Sequence, residues 1–244
     1  MRTIITILTM TAAFNLFASP YDKTEELNGV ALKSGKESNV RTYIGSVEKT
    51  FSYPLELVQK SITNFTEKCN NDYKDKRQFT DQNTACKYHN DHLVESFVVK
   101  DIRSTESFKH LSEVYLLGRL VYNRGSFGYY EMVQISHGVN EKNQKTATIQ
   151  VRMLSDDEVK LFTSPKFAKE SAFDESQTTY TLTEVAPNVT HLTYSYSAET
   201  DHWLLNKEIS VPQVFASISK SVNELMKTVE TESSYQKREI ASKE

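Results

Sequence analysis

Apolar positions along the chain follow two periods, and the switches between them mark out its elements. Near the C-terminus, Val211, Val214, Phe215, Ile218, Val222, Leu225, Met226 and Val229 step by three or four residues. This spacing predicts an amphipathic helix from Ser210 to about Glu230 with one continuous apolar stripe. Ser210-Val211-Pro212-Gln213 reads as its start: a capping serine, a proline in the first turn and a Gln three residues after the cap. Leu55, Val58, Ile62, Phe65 and Cys69 repeat the same spacing and predict a second helix after Ser52-Tyr53-Pro54. A period of two dominates elsewhere. Residues 41–51, 93–102, 113–122, 127–136, 145–154, 177–185 and 190–199 read as strands. The clearest is 145–154, with Ala147, Ile149, Val151 and Met153 on one face and Thr146, Thr148, Gln150 and Arg152 on the other. Ser155-Asp156-Asp157-Glu158 has the pattern of a capping box and opens a short helix that Pro165 limits.

The predicted order is strand, helix, six strands, long helix. Short turns between consecutive strands favour antiparallel pairing. A long helix with one apolar face needs a cover, and a curved sheet supplies it. The expected fold class is α+β: a curved antiparallel sheet of about seven strands gripping the C-terminal helix. One domain is expected over residues 41–232, followed by a polar tail over 233–244.

Three features resemble the START-like superfamily of helix-grip folds, which also includes polyketide cyclases and lipid-transfer proteins. They are the strand order, the corner Phe51-Ser52-Tyr53-Pro54-Leu55-Glu56-Leu57-Val58, and the final hairpin leading into the capped helix. The charged segment Ser155 to Ser176 departs from the pattern, being longer than a strand connection needs. The resemblance implies a cavity between sheet and C-terminal helix that holds a hydrophobic small molecule, commonly a lipid, sterol or polyketide. Some relatives are enzymes, so the fold alone leaves activity open.

The first residues are set apart from this domain. Arg2 precedes an apolar run from Ile4 to Phe17, long enough for a signal-peptide core and short for a membrane span. Residues 1–19 are expected to be a signal peptide, cut after Ala13 or Ala18, with an uncleaved anchor as the alternative. A secreted or periplasmic location follows. Residues 20–40 hold few large apolar side chains and are expected to form a flexible leader. The formal charge of −3 and the absence of a Lys/Arg cluster argue against nucleic acid as the main partner. Thirteen Tyr and twelve Phe against one Trp suit either a β-rich core or an apolar cavity.

Cys69 and Cys86 are the only cysteines. In an exported chain they are expected as a disulfide closing a loop of about 18 residues, worth roughly 3 kcal/mol. A metal site from Cys86, His89 and His92 with Asp91, and free thiols, are the alternatives; the ligand set matches no common zinc pattern. No metal and no cofactor are expected, because phosphate-binding, His-Glu and dinucleotide motifs are absent. His191, Asp201 and His202 form no convincing catalytic set without a nucleophile motif. The sequons Asn64-Phe65-Thr66 and Asn188-Val189-Thr190 matter only in a eukaryotic secretory pathway.

For the hairpin across residues 113–136, pairing Asn123 with Ser126 sets Gly118 opposite Glu131. Glu131 then becomes the polar anchor in a cavity lined by Leu116, Leu120, Phe127, Tyr129 and Val133, with Gly118 leaving a notch beside it. The alternative is a bulge near Gly125 or Gly128 that turns Glu131 outward. Trp203 lies between the last strand and the long helix, where it gates the cavity, touches a membrane surface or plugs the helix start. The leading functional expectation is an exported monomeric carrier of a lipid or other hydrophobic small molecule, with transient membrane contact and no covalent chemistry. An enzyme of cyclase or hydrolase type using Glu131, and a protein-interaction module with a filled core, are the rivals.

Overall fold

The computed structural model describes residues 21–63, 94–101, 113–122, 126–162 and 171–241 of the chain. Nine strands form one antiparallel sheet: β1 (Tyr21–Leu27), β2 (Val30–Glu37), β3 (Val40–Phe51), β4 (Val94–Asp101), β5 (Glu113–Tyr122), β6 (Ser126–Val139), β7 (Lys145–Leu154), β8 (Glu175–Ala186) and β9 (Val189–Thr200). Their spatial order is β1-β2-β3-β9-β8-β7-β6-β5-β4. Helix α1 (Leu55–Thr63) follows β3, α2 (Asp156–Phe162) follows β7, and a 3-10 turn (Glu208–Ser210) runs directly into α3 (Val211–Ala241). All seven expected strands are present. Among the described residues no helix is long and apolar enough to cross a membrane.

The other two strands correct the expectation of a flexible leader. β1 and β2 make a tight hairpin at Asn28-Gly29, both with positive φ (51° and 79°), the backbone such a two-residue turn demands. Val30 and Leu32 then alternate into the core at zero exposure. The turn is tied to α3: the Asn28 side-chain amide donates to Ser219 Oγ at 3.5 Å, and Ser219 Oγ donates to the Leu27 carbonyl at 2.9 Å. Few large side chains suffice here because the hairpin buries only one face.

The sheet's two faces carry two cores. Strand alternation sends Val133, Ile135, Ala147, Ile149, Leu182 and Leu192 to the face covered by α1 and α3, where they pack with Val58, Phe215, Ile218, Val222 and Met226. The opposite face holds a smaller cluster of Val114, Leu116, Tyr130, Met132 and Leu154, capped by Val159 of α2. The capping box of α2 is formed as its sequence predicts. Ser155 N–H donates to Glu158 Oε2 at 2.9 Å, and Glu158 N–H donates to Ser155 Oγ at 3.3 Å.

Helix α3 differs from its expectation at both ends. Ser210 does not cap it; its hydroxyl donates to the Leu204 carbonyl at 2.8 Å, because the preceding 3-10 turn already delivers the chain in helical geometry. At the far end the helix continues to Ala241, through most of the segment expected as a polar tail. Tertiary contact supports that extension, since Ser233 is fully buried and its Oγ meets Ser61 Oγ of α1 at 2.9 Å.

Candidate functional site

The register of β5 on β6 is shifted by one residue from the expected pairing. Tyr122 pairs with Ser126, so Gly118 lies opposite Tyr130, and Glu131 opposite Leu117. A one-residue shift exchanges the faces of one strand relative to its partner. Leu116 consequently pairs with Met132 in the small outer cluster, on the opposite face from Val133. The notch of Gly118 beside Glu131 is not formed. Val133 is fully buried in the main core, and Tyr129 is half-buried. Leu120 pairs with Gly128 and Phe127 with Val121 through the backbone; their side chains are outside the described set. Cys69 and Cys86, with His89, Asp91 and His92, also lie outside the described residues. Among the described residues no group of three or more His, Cys, Asp or Glu is placed to hold a metal.

Glu131 alternates with Val133 and Ile135 and so belongs to the helix side of the sheet. Its neighbours there are tyrosines of β9. Burial pushes the Tyr194 phenol up to about 12; a hydrogen bond with Thr178 opposes the rise, and the charge of Glu131 adds to it. Burial also raises the Tyr196 phenol, with Tyr194, Tyr129 and Glu131 contributing in the same direction. The rings of Tyr180 and Tyr194 meet edge to face at 5.3 Å.

Beside these tyrosines a cavity of about 500 Å³ opens between the sheet and the first half of α3. Tyr194 and Tyr196 form its sheet wall, and Phe173 joins them from the segment before β8. Two rows of α3 make the other wall: apolar Val214, Ile218 and Val222, and polar Gln213, Ser217 and Ser221. Leu204, Leu205 and Ser210 from the β9–α3 connection complete the rim. A volume of this order is that of a small-molecule site, and its mixture of apolar walls with a few polar groups suits an amphiphile.

The rim is held from beneath. Tyr43, fully buried, donates its hydroxyl to the Leu205 carbonyl at 2.6 Å and meets Phe173 and Phe215 edge to face at 6.4 and 6.3 Å. Arg41, equally buried, donates from Nε to the Asn206 carbonyl at 3.2 Å. Its Nη1 donates to both Asp22 carboxylate oxygens at 2.9 and 3.1 Å and to Ser34 Oγ at 3.0 Å. The Asn206 amide donates to the Asn39 carbonyl. Above these anchors Trp203 is 69% exposed and Ile209 77% exposed, and Lys207 Nζ stands 5.3 Å over the Trp203 ring. Trp203 therefore does not plug the helix start.

A sheet crossed on one face by a long C-terminal helix, with a cavity between them, decides the architecture. The chain has the START-like helix-grip fold. Human STARD10 is similar in structure with a TM-score of 0.52 and 11% identity, over 90% of this chain and 77% of that one. A STAR-related lipid transfer protein from Xanthomonas axonopodis is similar at 0.45 and 11%, over 86% and 97% of the two chains. Human StAR-related lipid transfer protein 5 is similar at 0.47 and 12%, over 87% and 86%. The START-like assignment rests on the first. No protein-family model and no curated protein matches the sequence.

The cavity lies against β9 and α3, not at the β5–β6 hairpin expected to line one. Its walls come from Tyr194 and Tyr196, which share a face of β9 with buried Leu192 and Ala198, and from the polar flank of the α3 stripe. Both patterns are visible in the sequence once β9 is known to lie under α3.

Proposed function

We propose that the chain is an exported, monomeric carrier that binds a lipid or other hydrophobic small molecule between β9 and α3. The cavity of about 500 Å³ carries this reading: a filled core has no need of it, and its walls offer apolar burial with a few orienting groups. Burial against Phe173, Val214, Ile218 and Val222 supplies the driving force, and neighbouring hydroxyls fix orientation. The exposed Trp203, Leu204 and Ile209 on the rim suit brief contact with a bilayer, where a ligand is exchanged. Glu131 is an electrostatic neighbour of the site's tyrosines. It modulates their polarity and carries out no chemistry on the ligand.

Native mass spectrometry of the protein purified from its own host, followed by organic extraction, tests the proposal. A stoichiometric apolar molecule is the expected result. Finding none, together with no stabilisation by a broad lipid panel, would overturn it in favour of a protein-interaction module.

A further inference from the structure

Three successive carbonyls of the cavity rim are each held by a buried side chain. The Leu204 carbonyl accepts from Ser210 Oγ at 2.8 Å, the Leu205 carbonyl from the Tyr43 hydroxyl at 2.6 Å, and the Asn206 carbonyl from Arg41 Nε at 3.2 Å. Ser210 belongs to the rim itself, whereas Tyr43 and Arg41 project from β3, two residues apart and on one face. Leu204 and Leu205 line the cavity, so β3 fixes where its mouth lies.

Of these anchors only Arg41 is charged, and it is 2% exposed. A buried guanidinium keeps its place while its charge is met. Asp22 meets it, with both carboxylate oxygens accepting from Nη1, and Ser34 Oγ adds a neutral contact. Asp22 lies on β1, the edge strand of the sheet, paired on one side and largely exposed. Its neighbour Lys23 reaches the same connection directly, with Nζ 3.3 Å from Glu208 Oε1 in the 3-10 turn. Two adjacent residues of opposite charge on one edge strand thus lead to two points between β9 and α3. The buried contact carries most of this coupling and the exposed one little. The other end of β1 is held separately, since the Leu27 carbonyl accepts from Ser219 of α3. The start of the strand can therefore fray without undoing the hairpin turn.

We infer that the start of β1 is a latch on the cavity mouth: Asp22 seated on Arg41 holds the rim down, and its release frees residues 204–206 to lift. Arg41 and Asp22 are positioning residues, and neither lines the cavity. The role in ligand release rests on the carrier reading above; the mechanical coupling does not.

Hydrogen exchange of the full chain without ligand tests the coupling. The Asn206 and Lys207 amides, which donate to the His202 and Leu204 carbonyls at 2.9 and 3.1 Å, report the connection, and the Ile149 amide reports the sheet core. Asp22→Asn is expected to speed exchange at Asn206 and Lys207 about tenfold or more relative to Ile149, the effect of losing one charged hydrogen-bonded contact. Lys23→Glu, an exposed change that spares the core, is expected to raise the same rates about two- to threefold, and adding Glu208→Lys to restore them. This reversal decides the matter where Asp22→Asn unfolds the chain. Stopped-flow release of dansyl undecanoate from the loaded protein is expected to quicken in parallel. Faster exchange confined to β1 and β2, with Asn206 and Lys207 at their original rates, would overturn the latch. Faster exchange at Asn206 and Lys207 without faster release would overturn its control of the mouth and leave the carrier standing. Failure of dansyl undecanoate and of the broad lipid panel to bind the unaltered protein would overturn the carrier reading and the role in release together, while the exchange rates still decide the coupling.

Discussion

Gly45 of β3 is where α3 comes down onto the sheet: a Cβ at this position would lie 2.8 Å from Ile218 Cγ2. Gly45 also pairs with Tyr196, so the glycine seats the helix directly beside the cavity wall. Gly45→Ala is expected to lower stability by about 1–3 kcal/mol through overpacking. In an Ile218→Ala background the same change should cost less, because the clashing methyl is gone. Denaturant unfolding of the four proteins in this cycle provides the check, and equal costs in both backgrounds would refute the contact.

The Asp22–Arg41 pair tests whether the N-terminal hairpin belongs to the domain. Arg41 is buried and Asp22 partly exposed, so Asp22→Asn leaves the guanidinium inside with its charge poorly matched. A loss of about 1–3 kcal/mol in urea unfolding is expected. A dispensable leader predicts no change.

Acid should loosen α2 before the rest of the sheet. The Arg152 guanidinium, 2.8 Å away, is the main reason the Glu158 carboxyl falls from 4.5 to about 2, helped by the Ser155 cap. A carboxyl whose folded value is depressed contributes stability that is present above its unfolded value and lost as pH falls through the folded one. The contribution should therefore vanish between about pH 4.5 and 2. Hydrogen exchange at Val159 should rise across this window, and Glu158→Gln should flatten the dependence. Partial exposure of both side chains keeps the effect small.

Trp203 is the chain's only tryptophan, so its fluorescence reports the rim alone. Neutral phosphatidylcholine vesicles are expected to shift its emission to the blue, and Ile209→Ser to weaken the response. An unchanged spectrum at saturating lipid would remove the bilayer from the proposed exchange step.

What was legible in the sequence follows the strength of each local signal. Residues 145–151 alternate cleanly and their observed pattern places Ala147, Ile149 and Val151 inward as expected, whereas Met153, expected beside them, is only half-buried. The α3 stripe at Val214, Ile218 and Val222 is buried as its spacing predicts. Turn chemistry was the weak point. Asn28-Gly29, a strong signal for a two-residue hairpin turn, sits between segments too polar to read as strands by apolar content alone. At the β5–β6 hairpin the reverse happened: apolar residues such as Val114, Tyr115, Leu116 and Leu117 follow one another along β5 without strict alternation, so the pattern could not fix the register. The candidate site inherited that one-residue error, and Leu116 and Gly118 moved to the far side of the sheet. Tyr194 and Tyr196 were legible as strand residues only; their place in the wall depends on which strand lies beneath α3.

The pairing of β3 with β9 joins Arg41–Phe51 to Thr190–Thr200 across most of the sequence. Until β9 emerges during synthesis, the N-terminal hairpin and β3 have no neighbour on that side, and α3 is made later still. Long-range pairing of this kind delays folding until the distant partner is available. A growing chain therefore has no cavity. A chain shortened before β9 would lack both walls at once.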